Sequence, residues 1–288
     1  MTAPALTRSD WLAPAEPQPP GVYPGVPFEE YFAWSNVSVH QLHSLARSPA
    51  HYVAALAEPR KQTAGMTTGQ AVHTAVLEPP DQFALRYAPS PEVDKRTTAG
   101  KQAHQAAAAG GRTLLKMEEL LAIRAIVDAI RAHPFASILL AREDGESEIS
   151  LSWIDAETGV FCKARPDFVN AAHNLIIDLK TTQDASMGAF ARACVNYRYH
   201  VQASFYLASA NAVGLNADAF VFVAVETASP WACACYELSP DDLQLGRTLY
   251  RKDLRVYKGC LESGTWPSYP EHVRILELPA WSRFIPVS

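Results

Sequence analysis

Glu148 to Thr182 reads EISLSWIDAETGVFCKARPDFVNAAHNLIIDLKTT, and the alternation within it decides the fold. Taken at a period of two, the stretch predicts three strands, each with an apolar and a polar face. Ile149, Leu151 and Trp153 point one way, and Glu148, Ser150 and Ser152 the other. In the second strand Val160, Cys162 and Ala164 share a face opposite Lys163, Arg165 and Asp167. In the third, Leu175, Ile177 and Leu179 form the buried set, with Asp178 and Lys180 on the other side. Thr158-Gly159 and the run from Asn170 to Asn174 hold the turn residues that fold these strands back on one another. One carboxylate from each strand thus converges on a single patch, with Lys180 two residues past the last.

The chemistry of that patch is specific. Hard divalent cations such as magnesium take oxygen ligands and keep several waters. Asp167 and Asp178 are the residues to hold such an ion, and Glu148 completes the set. A bound ion lowers the pKa of water, and Lys180 is placed to orient that water or to stabilise charge on a phosphoryl oxygen. Taken alone, a Pro-Asp followed by an Asp-x-Lys is a short pattern. A half-solvated sheet carrying a surface salt bridge accounts for it more simply.

Other residues change the balance. Gln202 and Tyr206 are four apart in YRYHVQASFY (residues 197–206) and share a helical face. Upstream, Gly69-Gln70-Ala71-Val72-His73 precedes the acids. Pro166-Asp167 with Asp178-Leu179-Lys180 resembles the PD-(D/E)xK nuclease signature. The Gln-x-x-x-Tyr and Gly-x-x-x-His segments resemble those of RecB-type nucleases. The strings CKARPD, DLKTT and YRYHVQASFY, with the late Leu278-Pro279-Ala280-Trp281, are similar to the exonuclease VIII (RecE) C-terminal nuclease family, over roughly residues 28 to 285.

That resemblance implies an α/β fold with a restriction-endonuclease-like core, in which a central mixed β-sheet is flanked by helices. It implies magnesium, with manganese as a substitute, held by His73, Glu148, Asp167, Asp178 and the Leu179 carbonyl. Asp167, Asp178, Lys180, Gln202 and Tyr206 would then carry catalysis, with Gln202 and Tyr206 orienting the scissile strand or holding Lys180. It further implies 5′-to-3′ exonuclease action on double-stranded DNA ends in phage-type recombination, a single-strand annealing protein as partner, and a homo-oligomeric ring. Two alternatives stand beside this reading: a structure-specific endonuclease, and a DNA-end-binding recombination module.

Composition bounds the rest. At 288 residues the chain holds one large domain or two small ones. No run approaches the eighteen apolar residues of a membrane span, and the first residues lack a basic-then-apolar signal pattern, so a cytoplasmic protein is expected. Cysteines at 162, 194, 233, 235 and 260 form no C-x-x-C pair, and an odd count argues against a disulfide framework. The net charge of −5 is unusual for a DNA enzyme, although metal ions offset the acids of their own site.

Residues 1 to 27 hold seven prolines and little periodicity, so a flexible tail is expected there, followed by one domain over 28–288. Ser38 and Gln41 form a possible capping box at the start of a helix, which Arg47-Ser48-Pro49 ends. Ser38 and Arg47 are read either as a cap and a helix end or as contacts to a terminal phosphate. Arg96 and Lys101, and Arg247, Arg251, Lys252 and Arg255 on a long late helix, are read either as a solvated face or as phosphate contacts.

Overall fold

The computed structural model describes residues 16–58 and 63–278. Pro279, Ala280 and Trp281 of the late motif, and residues 1–15 of the expected tail, lie outside the described residues. The chain begins with β1 (Gly21–Tyr23), α1 (Phe28–Ala33) and β2 (Val37–Ser38). Four helices follow: α2 (Val39–Arg47), α3 (Pro49–Ala57), α4 (Ala64–Leu77) and α5 (Pro80–Arg86). The parallel pair β3 (Tyr87–Pro89) and β4 (Thr113–Leu115) brackets α6 (Thr98–Ala107), and α7 (Met117–Ala132) and α8 (Pro134–Leu139) come next. Then come β5 (Gly145–Ser147), β6 (Ser150–Ile154), β7 (Phe161–Ala164), β8 (Phe168–Asn170) and β9 (Leu175–Thr182). The chain closes with α9 (Met187–Asn196), α10 (Tyr199–Ala212), β10 (Ala219–Glu226), β11 (Cys233–Glu237) and α11 (Pro240–Ser263).

Local chemistry sets these boundaries. Ser38 accepts from the Gln41 amide and Gln41 Oε1 accepts from the Ser38 amide, closing the capping box at α2. Ser48 caps α3 with Pro49 at its first position, where a fixed φ favours the helix and no donor is lost. α11 starts the same way at Ser239-Pro240 and stops at Gly264, whose φ of 64° is left-handed.

The strands form two principal sheets rather than one meander. One has the order β11-β10-β9-β8-β5, the other β1-β6-β7-β2. In the first, β9 and β10 run parallel and the remaining pairs are antiparallel, so it is the mixed sheet at the centre of the fold. Its faces alternate as expected. Ile176, Phe220 and Phe222 pack with α2, α10 and α11, whereas Ile177, Leu179 and Val223 pack with α4 and α7.

Two expectations are corrected. The second of the three strands is divided, because Pro166 has no N–H to donate: β7 ends at Ala164 and β8 begins at Phe168. β7 pairs with β6 in the smaller sheet and β8 with β9 in the larger one. The first strand breaks at the same level, where Glu148 has a φ of 55°, a left-handed conformation unusual for a glutamate. Second, the boundary expected at residue 27 moves toward the N-terminus. β1 pairs with β6, and Gln18 is joined through backbone and carbonyl to Asn36, which also donates to Ser152.

Candidate metal centre and active site

The paired breaks at Glu148 and Pro166 build the site. Beyond Phe168 the chain leaves β9, so the backbone of β9 from Asp178 onward has no neighbouring strand on that side. Its polar groups need other partners. The Leu179 amide donates to Asp167 Oδ2 at 2.8 Å, and the Leu179 carbonyl lies 2.8 Å from His73 Nε2. A carbonyl only accepts, so Nε2 carries the proton and Nδ1 keeps its lone pair, 3.6 Å from Asp167 Oδ2. The Glu148 amide donates to the Asp167 carbonyl at 3.0 Å, which holds the two bends together.

His73, Glu148 and Asp167 each offer a ligand atom, and these atoms lie within 4.8 Å of one another. His73 comes from α4, which packs against β9 with Gly69 facing Thr181; a Cβ at Gly69 would lie 3.4 Å from Thr181 Oγ1, an ordinary contact. Asp178 is fully buried behind this group. Its Oδ1 accepts from Gln202 Nε2 at 2.9 Å, and its Oδ2 pairs with the Lys180 ammonium at 2.5 Å. Tyr206 hydrogen-bonds Gln202 from the next turn of α10. All eight residues expected from the sequence therefore come together, with Asp178 and Leu179 beneath the surface and the others lining a cleft of about 1840 Å³.

The electrostatics show the strain of this crowding. Burial pushes the Asp167 carboxyl well above the usual range, and the charge of Asp178 pushes it further. Burial and then Asp167 raise Glu148, against the pull of His73 and Arg165. Burial lowers the His73 imidazole. For Lys180, burial alone would lower the ammonium, but Asp178, Asp167 and Tyr199 outweigh it and the group ends up raised. Three carboxylates sit against one lysine and one arginine, so the group carries excess negative charge that favours a bound cation. Carboxylate oxygens, a carbonyl and one imidazole are donors that a divalent cation accepts.

Two residues escaped the sequence reading. Arg165 donates from Nε to Glu148 Oε2 at 2.8 Å and from Nη1 to the Val26 carbonyl at 2.9 Å and Ser150 Oγ at 3.2 Å. In the sequence it alternates in step with Asp167, and that was its signal. Tyr199 places its ring under the Lys180 ammonium, 4.7 Å from nitrogen to ring centre. It lies one helical turn before Gln202, on the same face. Five of the residues held open as phosphate contacts have partners of their own. Ser38 is a cap, Arg47 donates to Tyr269, Arg96 pairs with Asp94, and Arg251 and Arg255 pair with Glu157.

Residues 38–279 match the family described as a PDDEXK-like domain of unknown function (DUF3799). The chain belongs to this PDDEXK-like family. The mixed sheet flanked by helices is accordingly a restriction-endonuclease-like core, and this is a domain of the PD-(D/E)xK nuclease type. Among solved structures, the "Putative exonuclease" from Eubacterium rectale superposes on the PDDEXK-like domain with a TM-score of 0.60 at 14% identity, covering 88% of this chain and 95% of that one. That likeness concerns the fold. A phage related exonuclease from Haemophilus somnus 129PT is 13% identical over 80% of this chain and 96% of its own, with a TM-score of 0.35, too low to bear on the architecture. A comparison with curated protein sequences returned no match. No described helix is long and apolar enough to cross a membrane.

Proposed function

We propose that this PDDEXK-like domain is a magnesium-dependent exodeoxyribonuclease that degrades linear double-stranded DNA from its ends, in the 5′-to-3′ direction. One observation carries the reading: His73, Glu148, Asp167 and Lys180 converge on a cleft, backed by buried Asp178, at the point where two strands break together. The exonuclease name of the Eubacterium rectale structure supports it, as do the CKARPD, DLKTT and YRYHVQASFY strings. The same strings support a closed ring of identical subunits, a single-strand annealing partner and a cytoplasmic setting.

In this mechanism Asp167, Glu148 and His73 would hold the ion, with Asp178 and the Leu179 carbonyl as the further oxygen donors behind them. The ion supplies charge neutralisation and a water acidic enough to be deprotonated near neutral pH. The protein's own groups do the positioning. Lys180 donates to the attacking water or to a non-bridging phosphoryl oxygen, and the Tyr199 ring keeps its ammonium from swinging away. Gln202 fixes Asp178, and Tyr206 fixes Gln202. Arg165 holds Glu148 in its left-handed position.

End-labelled linear duplex and closed circular duplex, incubated with magnesium or with EDTA, test the reading. Linear DNA should be degraded with magnesium and spared with EDTA, while circles survive. Nicked circles would make the domain a structure-specific endonuclease. Binding of ends without any cleavage would make it an end-binding module.

A further inference from the structure

We propose that Phe28 and Phe32 on α1 form a stacking platform for an unpaired nucleobase of the strand entering the cleft. The proposal rests on the nuclease reading of that cleft and adds to it a contact with the base. The two residues are one helical turn apart, 44% and 58% exposed, and their rings are stacked with centres 6.1 Å apart at 27°. Both line the cleft that holds His73, Asp167 and Lys180.

A six-residue helix is not stable by itself, and this one is fixed from behind. Lys163, on β7, is 2% exposed, and its ammonium donates to the carbonyls of Tyr31 at 3.0 Å, Phe32 at 2.9 Å and Trp34 at 2.6 Å. Arg165 donates to the Val26 carbonyl just before the helix. On the inner side, buried Tyr31 packs edge-on against Trp34, which in turn meets Tyr23. The backbone that carries the two rings is thus fixed at the edge of the cleft, so its ordering adds no cost when a ligand stacks on them. The segment CKARPD carries both anchors and Asp167, so the spacing between the platform and the acid is set within one short run.

Charge identifies the occupant. The acidic residues of α1 are Glu29 and Glu30, in its first turn, and Glu29 also lines the cleft. The nearest cations, Lys163 at 5.8 Å from the Phe32 ring centre and Arg165, are engaged by backbone carbonyls and by Glu148, so the acids of this helix leave it without a charged donor to track a nucleic-acid backbone. The uncharged planar part of the same polymer is the base, and aromatic side chains stack on every base with little regard to identity. Bases inside a duplex have both faces covered. The ligand is therefore either an unpaired base or the outer face of a terminal pair, and the two are separable by experiment.

The test uses the full chain in EDTA with oligonucleotides carrying 2-aminopurine, a base whose fluorescence is quenched on stacking. The probe is placed in a single-stranded overhang in one oligonucleotide and at a blunt terminus in another. Quenching in the overhang is the expected result; quenching at the blunt end alone would move the platform to the terminal pair and overturn the unpaired-base assignment. Phe28→Ala with Phe32→Ala should remove the quenching and weaken overhang binding roughly tenfold or more, whereas Phe32→Trp should keep both. An abasic site at the probe position completes a cycle. The double variant should bind the abasic and intact oligonucleotides alike, because ring and base are lost as one contact. If it instead weakens binding to both by the same factor, the residues act through the fold and the platform is wrong; absence of quenching in the wild type overturns it too. Quenching without cleavage in magnesium would sink the nuclease reading and leave the platform standing.

Discussion

Lys163 on β7 and Lys180 on β9 are both largely enclosed, yet their ammonium groups meet different partners. Lys163 donates to three backbone carbonyls at the end of α1, with the Tyr31 ring 5.1 Å from its nitrogen, and no carboxylate is paired with it among the described residues. Burial pulls its pKa down to about 8. Lys180 meets Asp178 at 2.5 Å with the Tyr199 ring beneath it, and its pKa is held up by the neighbouring acids. A lysine bonded by fixed carbonyls has no spare donor for a substrate and acts as a clamp on the chain. One set against carboxylates at the wall of an open cleft has donors that a phosphate can claim. What each ammonium faces separates the two roles, although both occur within one sequence stretch.

Exchanging each lysine for methionine tests that contrast most strongly. Lys180→Met should slow single-turnover cleavage of end-labelled duplex by roughly 10²- to 10³-fold, the loss typical of removing one donor aimed at developing charge. Lys163→Met should leave more than a tenth of the rate in the fraction that remains folded. Urea unfolding should show the converse for Lys163→Met, a stability loss of about 2 kcal/mol, because three carbonyls lose a charged donor. Comparable rate losses in both variants would erase the distinction.

A smaller effect is expected at Tyr199. Tyr199→Phe keeps the ring beneath Lys180 and should retain activity, while Tyr199→Leu should lower kcat about three- to tenfold with KM little changed, in line with a partly buried cation–π contact. Equal losses in the two variants would mean that the hydroxyl, not the ring face, matters.

The smallest effect is a pH dependence. The folded pKa of Lys163, about 8, lies below the ordinary 10.5, so the unfolded chain binds more protons between those values. Stability should therefore rise with pH across that window, and the rise should be shallower in Lys163→Met. Wild type and variant compared by urea unfolding at pH 8 and pH 10 would show it; parallel curves would mean that the three carbonyls hold the lysine near its ordinary pKa.

Local rules made much of this site legible. Alternation put Asp178 and Lys180 on one face, the capping box marked α2, and the four-residue spacing put Gln202 and Tyr206 together. The division of the strands was less visible, although Pro166 is itself a strand breaker, because an uninterrupted alternation runs through it. The left-handed backbone at Glu148 has no signal in a glutamate, since it follows from two sheets diverging at that point. β1 fell within a proline-rich segment, and its partner β6 lies far along the chain, where local pattern carries no information. The clamp of Lys163 on α1 is non-local in the same way; sequence alone showed only an alternating strand residue.

The central claim is that Asp167 belongs to a crowded acid cluster that binds a divalent cation. Thermal melting of the wild type and Asp167→Asn, each with EDTA and with manganese, measures this directly. The carboxamide oxygen can still accept from the Leu179 amide, while the buried charge and its repulsion with Asp178 disappear. Because burial and Asp178 raise the folded pKa of Asp167, ionisation near neutral pH costs stability, and the variant in EDTA should melt higher than the wild type by a few degrees, about 1 kcal/mol. Manganese should raise the wild-type melting temperature and leave Asp167→Asn nearly unmoved. A variant that melts lower than the wild type in EDTA, or that gains as much from manganese, would contradict the account.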